Sequence, residues 1–201
     1  DSSRTGGMLA NRSSHTPLTA SRLALIHTGD NSYLEPHLAD FAAIAPVSYD
    51  FGSRPAEYCA PLLPHVSYAT FSQPDLVRDE VVALIGWAHG LGAKEVYVTQ
   101  GAAGSYSSAL GPVHFEPAVS GAEIVDTLGA GDSFISAMLM SRLNGLALPD
   151  AAKRASAFAV ESCQTVGAFG YGEPDALMTI APTHRYVNES PAEKTQERKV
   201  R

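Results

Sequence analysis

Between Leu23 and Thr99 the chain alternates short apolar runs with amphipathic stretches, and this alternation constrains the fold more than any other feature. Leu23 to Ile26, Ile44 to Tyr49, Val66 to Phe71 and Glu95 to Thr99 are runs of strand length, followed by polar residues or glycine. Short apolar runs bounded in this way suit buried parallel strands. Tyr33 to Phe41, Pro55 to Leu63 and Asp75 to Leu91 fall between them at helix length. The last is the clearest, with Val77, Val81, Leu84, Ile85 and Ala88 recurring at helical spacing. Ser72 stands where a cap is expected, with Asp75 three residues on. Gly90 and Gly92 stand where that helix should end. The pattern predicts an α/β domain whose mostly parallel sheet is covered by helices.

The second half reads differently. Gly101-Ala102-Ala103-Gly104 is a glycine-bearing turn after the fourth strand. Tyr106 to Ala109 and Val113 to Phe115, separated by Gly111-Pro112, predict a hairpin. Gly131 to Leu143 and Pro149 to Val166 predict two helices. The second carries Ala152, Ala155, Ala159 and Cys163 along a small-residue face that permits close approach of a sheet or a ligand.

Composition narrows the function. A chain of 201 residues with 45% hydrophobic content supports one sizeable core. Asp+Glu 21 against Lys+Arg 14 gives a net charge of -7, which argues against general nucleic-acid binding. Cys59 and Cys163 lie far apart, and no disulfide framework or zinc cluster follows. Apolar runs break well short of the ~20 residues that a membrane helix needs. Residues 1 to 20 are polar and lack the apolar stretch of a secretory signal. The default expectation is a cytoplasmic protein. The seven histidines, among them His27, His65, His89 and His114, lack ligand spacing and read as surface or hydrogen-bonding residues.

The chemical signal is Asp126-Thr127-Leu128-Gly129-Ala130-Gly131-Asp132, directly before an apolar helix. Glycines permit tight curvature, and a helix N-terminus adds unsatisfied donors and a dipole that favours anions. The segment therefore suits a phosphate cradle. Asp132 falls in the first turn, where its carboxylate can accept or orient an attacking hydroxyl. An aspartate that only stabilises its own helix start is the competing reading. There is no GxxxxGK[ST], no HExxH and no GxSxG, and Gly101 and Gly104 do not complete a dinucleotide fingerprint.

Residues 126 to 132, with the helix after them, resemble the C-terminal signature of the ribokinase-like (PfkB) carbohydrate kinases. The spacing back to Thr99, Gly101 and Gly104 is similar to that family's nucleotide-binding turn. Residues 27 to 33, 50 to 54 and 62 to 69 resemble members that act on amino-acid-linked sugars.

The resemblance implies a three-layer αβα fold and ATP-dependent phosphorylation of a sugar hydroxyl. It makes Asp132 the catalytic base and Gly129, Ala130 and Gly131 the anion hole. Thr99, Gly101 and Gly104 would line the ATP phosphates and ribose. Ser156 would flank adenine, and Gly167 would belong to the small pair ending the late helix. It also implies Mg2+, with Asp75 as an outer contributor, and a monovalent cation such as K+ near Asp126. The family's Asn-x-x-Glu segment stands here as Ser72-Gln73-Pro74-Asp75.

Asn31 and Arg54 are candidate substrate contacts, Arg54 through a substrate carboxylate or else in an ion pair with Glu57. Tyr33, Glu35 and His37 also follow the first strand end, where α/β ligands bind. Trp87 reads as packing or as a contact in a homodimer. The expected division is 1–20 as a remnant or lid return, 21–185 as the nucleotide-binding domain and 186–201 as a flexible tail. The family's sheet is larger than the four parallel runs seen here, and the chain reads as its C-terminal two-thirds, lacking N-terminal strands and lid.

Overall fold

The structure, a computed structural model, describes residues 23–29 and 33–168. Asn31, His15, His184, the segment 1–20 and the tail 186–201 lie outside the described residues.

Six strands form one sheet in sequence order: β1 (Ile26–Gly29), β2 (Val47–Asp50), β3 (Tyr68–Ser72), β4 (Glu95–Thr99), β5 (Ser105–Ser108) and β6 (His114–Glu116). The first four are parallel, and β5 and β6 add an antiparallel hairpin at the β4 edge. Helices α1 (Leu38–Ile44), α2 (Ala56–Cys59) and α3 (Arg78–Gly90) connect the parallel strands. Helices α4 (Ala130–Leu143) and α5 (Leu148–Ser162) follow the hairpin.

Alternation along the strands divides the interior into two layers. Val47, Tyr49, Ala69, Phe71, Val96 and Val98 join Leu38, Leu63, Val81 and Ile85 in one cluster. Tyr97, with Tyr68 at its margin, packs on the opposite face against Phe134, Met138, Ala151 and Ala155. The predicted three layers are therefore present. Trp87 packs against the first cluster. Cys59 and Cys163 are buried free thiols, and burial pushes the Cys59 thiol up to about 11. Among the described residues no helix is long and apolar enough to cross a membrane.

Several boundaries differ from those predicted. Strand β1 begins at Ile26, three residues after the start of the apolar run, because its register places Ile26 against Val47 and Gly29 against Asp50. The first helix opens as a 3-10 turn over Glu35–His37, with Pro36 in it, before α1 begins. Helix α3 starts at Arg78, not Asp75, and Ser72 does not cap it. Ser72 ends β3, and its amide donates to the Gly52 carbonyl at 2.7 Å. Val77 takes the cap position, its amide donating to Glu80 Oε2 at 3.0 Å. The residues between stay non-helical because Gln100 Nε2 donates to the carbonyls of Gln73 (2.9 Å) and Leu76 (2.7 Å). Helix α5 stops at Ser162, and the next carbonyl, that of Cys163, accepts the amides of Val125 and Asp126.

Candidate active site

The loops at the carboxyl ends of β2, β3 and β4 are stitched together. Besides the Ser72–Gly52 bond, the Gln73 amide donates to Thr99 O at 2.9 Å. Open α/β sheets bind ligands at this end.

Gly129 opens α4 with φ of 80°, a left-handed conformation that glycine adopts without strain. The Ala130 amide turns back to Thr127 O at 3.2 Å, and the first intrahelical bond is Ser133 N–H to Gly129 O at 2.9 Å. The Gly131 and Asp132 amides have no backbone partner among the described residues. A Cβ on Gly131 would meet nothing within 4 Å, so the backbone at this turn borders open space. Asp132, exposed, stands in the same first turn. Two free amides and a carboxylate thus share one helix end, with Ala130 spending its amide on the turn.

The carboxylate of Asp126 holds this loop in place. Its Oδ1 accepts the Leu128 amide at 3.0 Å and its Oδ2 the Gly167 amide at 2.9 Å. Those bonds keep its pKa below the usual carboxylate range. Gly167, at φ of 75°, thereby ties the end of α5 to the glycine loop.

Thr99 ends β4, its hydroxyl 3.4 Å from Phe71 O. Gly101 is exposed with φ of 56°, and a Cβ there would meet open space. Gly104 is buried with φ of 123°, and a Cβ would collide with Glu116 O and sit 2.9 Å from Pro117 Cα. Its glycine identity is explained by this backbone approach. Ser156 donates to Pro117 O at 3.2 Å, joining α5 to the strand end after β6.

Where β1 and β2 run side by side, His27 pairs in register with Ser48, and its Nδ1 lies 3.1 Å from Ser48 Oγ. The residue keeps an exposed edge, yet desolvation of the ring lowers its pKa, opposed by the charges of Asp50 and Asp132. His27, Asp50 and Asp132 therefore form one electrostatic neighbourhood across β1, β2 and α4. No spacing along the chain announces this grouping. Arg54 lies over the Tyr58 ring, 5.2 Å from its centroid.

Among the described residues no group of three or more His, Cys, Asp or Glu side chains is placed to hold a metal. Mg2+ bound with phosphates needs only one or two carboxylates and keeps several waters. Asp75, exposed in the loop that Gln100 ties to the β4 end, fits a single water-mediated contribution of that kind. Both oxygens of Asp126 already accept amides, so a monovalent cation near it would rely on backbone oxygens.

The pfkB family carbohydrate kinase pattern matches residues 40–174, and the chain belongs to that family. Within it, the chain is 42% identical over 154 residues to the fructosamine kinase FrlD of Bacillus subtilis, covering 76% of this chain and 54% of that relative. It is 33% identical over 111 residues to the fructoselysine 6-kinase of Escherichia coli, covering 54% of this chain and 41% of that relative. The chain spans about half the length of the curated relatives it matches. Its fold is that of the Arabidopsis thaliana ribokinase complexed with ribose and ATP (TM-score 0.63, 22% identity, 72% of this chain and 51% of that one). The microbiome-derived acarbose kinase Mak1 is similar (TM-score 0.65, 24% identity, 74% and 52%).

Proposed function

We propose that this chain carries the phosphoryl-transfer site of an ATP-dependent sugar kinase, with the 6-hydroxyl of fructoselysine as its acceptor. The observation that supports this most is the pairing of the open Gly131 and Asp132 amides with the Asp132 carboxylate at the start of α4. Asp132 accepts the proton of the acceptor hydroxyl as its oxygen bonds to the γ-phosphorus and the bond to the ADP oxygen breaks. The two amides stabilise charge on the transferring group. Thr99 and Gly101, at the β4 end, lie where the phosphate tail would pass, and Ser156 and Gly167 border the nucleotide side. Bound Mg2+ would neutralise phosphate charge, with Asp75 as its outer partner. Arg54 would take the acceptor's carboxylate, and Asn31 would be a further acceptor contact.

The names of the matched relatives support an amine-linked sugar over ribose. The test is ADP formation with fructoselysine, fructose, ribose and a nucleoside as acceptors. Fructoselysine should give the fastest turnover, and Asp132→Asn should lower kcat by about 10²- to 10⁴-fold while ATP still binds. Equal turnover by that variant would remove Asp132 from the chemistry. A second reading, a nucleotide-binding domain that turns over no acceptor, is favoured by Ser72-Gln73-Pro74-Asp75 standing in place of the family's Asn-x-x-Glu segment. ATP binding with no ADP formed on any sugar would support it.

A further inference from the structure

Beyond Asp50 the chain turns sharply. The Gly52 amide donates to Asp50 Oδ1 at 2.9 Å and the Arg54 amide to Phe51 O at 3.0 Å. A cleft of about 500 Å³ opens there, lined by Asp50, Phe51, Gly52, Ser53, Arg54 and Pro55. The charges around it follow an order. The Arg54 guanidinium lies over one face of Tyr58. The Tyr58 hydroxyl donates to Glu35 Oε1, and the Tyr49 hydroxyl donates to the same oxygen at 3.1 Å. The two hydroxyls are 3.0 Å apart. Burial, then the bonds to Tyr58 and Glu35, push the Tyr49 phenol well above its usual range, so it stays a donor. Two phenols thus fix one oxygen of a half-buried carboxylate, and Oε2 makes no hydrogen bond among the described residues.

One tyrosine therefore holds a cation over its ring face and an anion at its hydroxyl, and the cation lines the cleft that begins at Asp50. A singly charged ligand would complement only one of these two charges. An α-amino acid carries a carboxylate and an ammonium on the same carbon. A guanidinium has five donors in a fork that suits a carboxylate and can serve more than one acceptor. A carboxylate oxygen with a free lone pair suits an ammonium.

We infer that Arg54, Tyr58 and Glu35 form the recognition site for a zwitterionic α-amino-acid end on the acceptor, with Arg54 on its carboxylate and Glu35 on its ammonium. Tyr49 and Tyr58 are positioning residues that aim Glu35. The inference rests on the kinase reading for the identity of the sugar end only.

Calorimetric titration of the full 201-residue chain tests it. The ligands are fructoselysine, its Nα-acetyl derivative, its carboxamide and free fructose. Blocking either charge should weaken binding about ten- to a hundredfold. Glu35→Gln should abolish the penalty for acetylation and keep that for amidation, and Arg54→Met should do the reverse. Binding of both blocked forms within about twofold of the parent would overturn the inference without any variant. So would variants that lose both penalties alike. Discriminating binding without ADP formation would sink the kinase reading and leave this one standing. ADP formation on fructose without discrimination would do the opposite, and neither binding nor turnover would end both.

Discussion

The two faces of the sheet are built for different work. Under α1 to α3, β2, β3 and β4 present Val47, Tyr49, Ala69, Phe71, Val96 and Val98, all buried. Under α4 and α5 the alternate positions are His27, Ser48, Asp50, Thr70 and Tyr97, and the helices answer with alanine and serine as well as Phe134 and Met138. One face spends its side chains on excluding water. The other keeps polar groups in line beside its apolar contacts. Ring stacking adds to the first face, with Phe51 and Phe71 nearly parallel at 5.1 Å. The lesson is that stability and chemistry can share a strand when they are assigned to alternate residues.

The sharpest attack on that division is Phe71→Ala. It should cost about 3–5 kcal/mol, read as a fall in denaturant midpoint. A loss below about 1 kcal/mol would show that the first face does not dominate stability. Next in size is Arg142→Met. On the second face Arg142 Nε and a terminal nitrogen each lie 2.8 Å from the Glu95 carboxylate, and Tyr97 donates to the same group at 2.7 Å. The pair is partly exposed, at 21% and 12%, so about 2 kcal/mol is expected rather than the larger loss of a fully buried pair. Chemical denaturation reads it, and Arg142→Lys should restore only part. The smallest effect concerns Asp126, and it is one of pH. Its folded pKa lies below the ordinary aspartate value. Its contribution is therefore complete above that value and is lost as pH falls through the lower folded pKa. Asp126→Asn should flatten the acid limb of the stability curve below about pH 4 and leave the neutral region's pH slope unchanged. An unchanged acid limb would remove Asp126 as its source.

Local signals made parts of this molecule legible. Strand β4 was readable because polar and glycine residues bound Glu95 to Thr99 on both sides. The start of α4 was readable because glycine, carboxylate and apolar helix occur in one run. Boundaries fixed by distant partners were not. The α3 start depends on Gln100, and the β1 start on register with β2. The Glu35–Tyr49–Tyr58 group joins positions 14 and 23 residues apart, and Glu95–Arg142 joins positions 47 apart, with no periodicity to announce either. Asp75 and Ser72 show the same limit from the other side. Their spacing matched a capping box, but β3 claimed the serine backbone first.

The amides of Ser72 and Gln73 reach in opposite directions, one to Gly52 and the next to Thr99. Adjacent residues of one strand end thus grip the loop beside Arg54 and the approach to Gly101. Such a crossbar carries displacement: a nudge on either neighbour bears on one of two consecutive peptide planes that meet at the Ser72 Cα. The loops after β2 and β4 are therefore expected to shift together rather than independently.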